Sequence, residues 1–214
     1  PFMCMSKILE ATPAYFFKRL LAYAPAQKNE YYEQWKALEK RICVKPIADC
    51  AVEFSSVYAV KGLMDKLPDN SLLHISNSNN VRIATMFPIK ETVDVYCNRG
   101  TCGIDGSLST YMAQSYISKK PSFIMIGDLS FFYDMNALWN RYSTSNTRIM
   151  LSNNSGGALF HSSFYKQVQE FKTIDVHIAA AHNSQAEGWA RSQGFEYLSA
   201  HNQEEFDAAI EIFT

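Results

Sequence analysis

Asp128 and Asn154 are the two side chains in this 214-residue chain whose types and spacing best suit holding a cation. Asp128 follows the apolar stretch Phe123–Ile126 and Gly127, and Asn154 follows a second apolar stretch, Ile149–Ser152, and precedes Gly156-Gly157. Twenty-five residues lie between them, the length of one strand-helix-strand return, which sets carboxylate and carboxamide side by side at one edge of a parallel sheet. With the Gly156 carbonyl they form an oxygen set suited to Mg²⁺ (or Mn²⁺), whose octahedron diphosphate oxygens and water would complete. The backbone amides of Leu129 and Ser130, where a helix begins after Gly127, are placed to donate to phosphate. A helix-capping Asp and a turn Asn are the plainer alternative. The spacing, the doubled Asn and the glycine pair favour a cofactor site.

A second group is cationic. Ser78 and Arg82 stand four apart at the start of an expected helix, hence on one face, and Arg99 follows the next expected strand. A hydroxyl and two guanidiniums converging on a crevice suit carboxylates, which arginine binds bidentately. Surface arginines in exposed ion pairs are the alternative.

These residues need a scaffold, and from Val52 onward the chain supplies one. The first expected helix carries Phe54, Val57, Val60 and Leu63 on one side, and further helices are expected at about 79–86, 106–117, 131–142, 185–192 and 204–212. Between them lie strands at Leu72–Ile75, Val93–Cys97, Phe123–Ile126, Ile149–Ser152 and Phe195–Leu198. Alternation of this kind predicts an α/β fold, a mostly parallel sheet with helices on both faces. Ligands bind such sheets outside the carboxyl ends of the strands, where the polar segments Ser76–Ser78, Asn98–Gly100, Gly127-Asp128 and Asn153–Gly157 all fall. Residues 1–48 differ. Thr12-Pro13 reads as an N-cap and first helical position for a helix carrying Tyr15, Phe16, Leu20 and Leu21, and a charged, aromatic helix follows from Glu30 to Cys43. This segment is expected to be a helical linker or remnant of a preceding domain ending near Lys45-Pro46, with 49–214 the cofactor-binding domain.

Composition narrows the function classes. A net charge of −1 argues against nucleic acid, and a 47% hydrophobic content supports a core. No apolar run reaches the roughly 18 to 20 residues of a membrane span. Cys4, Cys43, Cys50, Cys97 and Cys102 show no CxxC spacing and read as reduced thiols, so a cytoplasmic protein is expected. Cys97 and Cys102 have no base nearby in sequence, His161 reads as a surface or capping histidine, and Trp139 as core.

The Gly-Asp…Asn-Asn pattern, with GDLSFFYDMNAL and CNRGTCGIDGSLST, resembles the SEPHCHC synthase family of thiamine-diphosphate enzymes, densest between Leu72 and Phe160. The resemblance implies Asp128, Asn154 and Gly156 as metal ligands, and Gly127, Leu129 and Ser130 at the diphosphate. It makes Ile104 an apolar prop beneath thiamine diphosphate, Leu159 and Phe160 cavity-lining residues, and Ser78, Arg82 and Arg99 substrate-binding residues. The implied reaction decarboxylates 2-oxoglutarate and adds the succinyl unit to isochorismate, in menaquinone biosynthesis. No catalytic residue is expected in this chain. The activating glutamate would come from a pyrimidine-binding domain that nothing in residues 1–50 resembles, contributed by a second subunit of a homo-oligomer, a dimer or tetramer. The expectation is therefore the C-terminal part of a larger enzyme, inactive alone. The stretch LFHSSFYKQ departs from the family in lacking a Leu-Pro after the glycine pair. Another thiamine-dependent 2-oxo acid decarboxylase or synthase, and a non-catalytic diphosphate-binding module, are the alternatives.

Overall fold

The structure is a computed structural model that describes residues 4–24, 30–43 and 52–214. The expected boundary at Lys45-Pro46 and Cys50 lie outside the described residues. The chain divides into two units, Pro1–Ile42 and Cys43–Thr214.

The first unit carries helices α1 (Pro13–Tyr23) and α2 (Tyr31–Cys43). The Thr12 side chain accepts from the Tyr15 amide at 3.3 Å, and Pro13 occupies the first helical position, where a missing N–H costs nothing. No residue of α1 is buried, so Tyr15, Leu20 and Leu21 face outward.

The second unit is an α/β sandwich. Its elements run α3 (Ser56–Lys66), β1 (Leu72–Ile75), α4 (Asn79–Ala84), β2 (Asp94–Tyr96), α5 (Ser107–Ser118), β3 (Ser122–Gly127), α6 (Asp128–Asp134) and β4 (Thr147–Ser152). Four further helices follow: α7 (Lys166–Gln169), α8 (Ile174–His177), α9 (Glu187–Ser192) and α10 (Gln203–Phe213). The sheet is wholly parallel, in the order β2-β1-β3-β4, with Ile75 opposite Met125 and Gly127 opposite Ser152. Alternate strand residues point to opposite faces. Leu73, Ile75, Phe123 and Met125 pack with Val60 and Leu63 of α3, Ala84 of α4, and Phe206 and Ile210 of α10. Leu72, Ile124 and Ile126 pack on the other face with Leu108, Tyr111 and Met112 of α5 and Phe131 of α6. Full burial of each large apolar side chain contributes about 1.5–3 kcal/mol. Among the described residues no helix is long and apolar enough to cross a membrane.

This wiring creates the crevice. After β1 the chain crosses one face through α4; after β3 it crosses the other through α6. The ends of β1 and β3, hydrogen-bonded neighbours, therefore part at a topological switch point, where open α/β sheets bind ligands.

Polar contacts lock the layers. The Tyr111 hydroxyl, fully buried, donates to the Ser122 carbonyl at 2.6 Å and accepts from the Arg148 amide at 2.9 Å, tying α5 to the starts of β3 and β4. Asp134 accepts from the Ser109 amide at 2.7 Å and from its hydroxyl, so the last residue of α6 holds the first turn of α5.

Three expectations are corrected. Residues 195–198 form no strand: Gly194, at φ +82°, follows α9, the Phe195 amide returns to Ala190 O at 3.1 Å, and Phe195 and Tyr197 pack against the core instead of extending the sheet. The helix expected over 131–142 is α6 followed by a 3₁₀ turn, Met135–Leu138, because Asp134 leaves helical geometry (φ −129°, ψ 13°) to reach α5. Trp139, at the end of that turn, is 69% exposed and not core.

His74 makes one interaction pH-dependent. Its ring is fully buried, with Nδ1 2.8 Å from Gln114 Oε1 and Nε2 without a partner. Burial pushes its pKa below the usual histidine value, opposed in part by Gln114. A depressed folded-state pKa makes the native state the weaker proton binder. The stability it contributes is complete above pH about 6.5 and is lost as pH falls through the folded value. The urea midpoint should thus fall between pH 7 and pH 5, and His74→Gln should flatten that fall; an unchanged slope in the variant would assign the effect elsewhere.

Candidate functional site

The sheet brings Asp128 and the Asn154–Gly156 turn together. β3 and β4 run in register to Gly127 and Ser152, so the next residues of each emerge at the same edge. Asp128 is 2% exposed, and its Oδ2 accepts the backbone N–H groups of Asn154 and Gly156, both at 3.0 Å. Oδ1 accepts from the Leu129 amide at 2.7 Å. The Leu129 amide, expected to face phosphate, is thus engaged with the carboxylate. The Asn154 side chain is exposed at the edge of this turn.

A clasp behind the turn fixes its shape. Gly156 sits at φ +144°, and a Cβ there would lie 2.9 Å from Ala179 O and 3.2 Å from Ala181 Cα. The Gly157 amide donates to Ala179 O at 2.6 Å, and the His182 amide donates to Ser155 O at 3.1 Å. Asn153 Oδ1 accepts from the Ser155 amide at 3.2 Å while its Nδ2 donates to Ser184 O at 3.1 Å.

His182, which sequence reasoning missed, enters through this clasp. Its Nδ1 accepts from the Ser184 amide at 3.1 Å, so the neutral ring carries its proton on Nε2. That buried nitrogen has no hydrogen-bond partner and stands 3.4 Å from Asp128 Oδ2, with Phe132 edge-on to the ring at 5.4 Å. Nothing in Ala179-Ala180-Ala181-His182 marks the residue in sequence; only the return of the chain to the turn does.

The other expected residues form two groups. The Ser130 hydroxyl, buried, donates to the Ile104 carbonyl, joining the start of α6 to the Gly103–Gly106 loop. Leu159 and Phe160 lie half-buried in a 3₁₀ turn, Ala158–His161, with Phe160 edge-on to Tyr165 at 5.4 Å. His161 points to the surface, 2.9 Å from Asp175. On the β1–β2 side, Arg82 Nη1 donates to Ser78 O at 3.2 Å and Arg99 Nη1 to Asn77 Oδ1 at 3.1 Å. Both exposed guanidiniums are thus anchored on consecutive residues at the end of β1. Ser78 itself holds φ +76°, a strained value for a residue with a side chain, and its hydroxyl makes no capping bond. No hydrogen bond or ion pair joins this cationic group to Asp128 among the described residues.

The residues fit a hydrated divalent cation bearing an anion. A carboxylate this buried is costly unless paired, yet no Lys or Arg among the described residues pairs with it. The residue before it is uncrowded: a Cβ on Gly127 would meet nothing within 4 Å. His182 Nε2, buried and without a hydrogen-bond partner, stands against the same carboxylate.

An open, wholly parallel α/β sheet that brings Asp128 and the Asn154–Gly156 turn together beside its switch point is the fold class of the thiamine-diphosphate enzymes. No family model matches the chain. Its relatives carry the class to a family: the chain belongs to the SEPHCHC synthase family. It is 39% identical over 210 residues to 2-succinyl-5-enolpyruvyl-6-hydroxy-3-cyclohexene-1-carboxylate synthase of Bacteroides fragilis, covering 98% of this chain and 37% of the relative. Proteins of the same name from Bacteroides thetaiotaomicron and Flavobacterium psychrophilum are 38% and 34% identical, over 98% and 99% of this chain and 37% and 38% of their own. The chain therefore spans a little over a third of the length of these relatives.

The two glycines beside Asp128 should behave oppositely. Gly156→Ala forces a side chain into a left-handed conformation against backbone atoms, at a cost of about 1–3 kcal/mol, and should lower the melting temperature by several degrees. Gly127, at φ −81° with open space beyond, should accept alanine with a melting temperature close to the unsubstituted protein's. Equal melting temperatures for both variants would refute the clasp as described.

Proposed function

We propose that this chain is the diphosphate-binding domain of a SEPHCHC synthase that uses thiamine diphosphate and Mg²⁺ in menaquinone biosynthesis. Residues 1–48 would be the tail of a preceding domain. The observation that carries this reading is the buried Asp128 carboxylate hydrogen-bonded to the Asn154–Gly156 turn. In the reaction, the C1–C2 bond of 2-oxoglutarate breaks with loss of CO₂. The former keto carbon then bonds to the ring alkene of isochorismate, and a proton goes to the neighbouring carbon. Bound thiamine diphosphate supplies the electron sink.

This chain's residues bind and orient. Asp128, Asn154 and the Gly156 carbonyl would hold the metal, with Gly127 leaving room for the diphosphate and Ser130 and Leu129 at its side. Ile104, held by Ser130 through its carbonyl, would prop the cofactor from below. Leu159 and Phe160 would wall the cavity against water. Ser78, Arg82 and Arg99 would hold the substrate carboxylate. The activating glutamate would come from a pyrimidine-binding domain, most simply across a subunit interface.

Calorimetry on the full-length protein should detect thiamine diphosphate binding that requires Mg²⁺, and Asp128→Ala should weaken it by at least ~10- to 100-fold, the loss already typical of a metal site's outer partners. Binding indifferent to Mg²⁺, or to Asp128→Ala, would sink the metal assignment. Product analysis with and without isochorismate separates this reaction from simple 2-oxo acid decarboxylation.

Removing a charged hydrogen bond to a bound carboxylate costs about 1.5–3 kcal/mol, roughly tenfold or more in affinity. Arg82→Ala and Arg99→Ala should therefore each raise KM for 2-oxoglutarate about tenfold or more. Unchanged kinetics for both would take them out of the site.

A further inference from the structure

Asn77 ties the end of β1 to the loop that follows β2. It follows β1 at the switch point, is 3% exposed, and uses all four hydrogen-bonding positions of its carboxamide. Nδ2 donates to Asn98 O at 2.6 Å and to Gly103 O at 2.5 Å. Oδ1 accepts from Arg99 Nη1 at 3.1 Å and from the Cys97 thiol at 3.7 Å. The orientation of the amide is unambiguous, since two carbonyls demand donors and a guanidinium demands an acceptor.

From this geometry we infer that Asn77 is the positioning residue for substrate recognition: its carboxamide sets the Cys97–Gly103 loop and aims the Arg99 guanidinium into the crevice. The inference rests on the reading of Arg99 as a carboxylate-binding residue. No other side chain holds Arg99 by a hydrogen bond among the described residues, and an exposed arginine left free loses the preorganisation that makes a bidentate contact strong. The second donor works on a different part. By holding Gly103 O, Asn77 fixes the residue before Ile104, whose own carbonyl takes the Ser130 hydroxyl. Asn98 extends the same net, donating to Gly106 O at 3.2 Å and to Thr110 Oγ1 at 3.1 Å. One buried amide thereby couples Arg99 to the loop that carries Ile104.

A double-mutant cycle in the full-length enzyme separates positioning from mere support. Asn77→Ala and Arg99→Ala should each raise KM for 2-oxoglutarate about tenfold. The double variant should raise it little further, because Asn77 acts on this constant through Arg99. Multiplying effects, or an Asn77→Ala enzyme with unchanged KM beside an impaired Arg99→Ala enzyme, would overturn the inference while leaving the substrate reading intact. An unimpaired Arg99→Ala enzyme would remove both. Should Asn77→Ala not fold, Asn77→Ser, which fits the space and keeps one donor, is expected to give the same non-additive rise.

Discussion

A single buried carboxylate organises one half of the crevice. Asp128 stands where β3 becomes α6, and its oxygens draw in amides from its own helix and from the turn that ends β4. A buried anion is tolerable only when donors or cations surround it. The neighbouring elements are therefore obliged to converge: the β4 turn curls to present two N–H groups, and the Ala179–Ser184 segment folds over that turn with His182 against the carboxylate. Hydrogen bonds to a charged acceptor are roughly twice as strong as neutral ones, which suits a turn whose backbone is itself strained. The site's shape follows from satisfying one charge.

The sheet keeps the two chemistries of the proposed reaction apart yet adjacent. At the β3–β4 end a buried carboxylate is ringed by backbone amides and His182. At the β1–β2 end they are guanidiniums and a hydroxyl, suited to a carboxylate. The switch point lies between them, where α4 and α6 leave for opposite faces. Because β1 and β3 are buried on both faces and locked in register, side chains at their ends inherit the rigidity of the core.

Much of this was legible in the sequence, for identifiable reasons. The apolar runs at Leu72–Ile75 and Phe123–Ile126 are short and bounded by polar residues, so their strands could be placed to within a residue. The interval from Asp128 to Asn154 matches one crossover, so the approach of the Asn154 backbone to Asp128 could be foreseen, though it is the amide N–H of Asn154 that meets the carboxylate. Phe195–Leu198 has the same apolar look, but only Phe195 and Tyr197 pack against the core while Leu198 stays exposed, and short apolar runs do not say which form their burial takes. The break after Asp134 depends on Ser109, and the role of His182 depends on a turn 26 residues earlier; local pattern cannot report either. Asn77 lay in plain view beside Ser78, yet its importance comes from carbonyls of residues 98 and 103, whose direction only folding sets.

The backbone records where the fold is held under tension. Among the described residues six other than glycine take positive φ, and four of them, Ser78, Cys102, Ser155 and Ala180, lie in the loops of the crevice. The other two, Asn70 and Lys119, precede β1 and end α5, on the far side of the sheet, where left-handed caps are ordinary. Each strained residue costs about 1–3 kcal/mol and persists only where its surroundings over-determine it. Here the restraints can be named. Ser155 is pinned by Asn153 and by the His182 amide; Cys102 lies in the loop that Asn77 holds; Ser78 carries Arg82 on its carbonyl; Ala180 lies between two residues bonded back to the Asp128 side. Loops shaped by packing alone would relax into ordinary conformations. These are kept out of them by hydrogen bonds made within and between the loops, which is why the strain gathers at the strand ends and not along the strands that carry them.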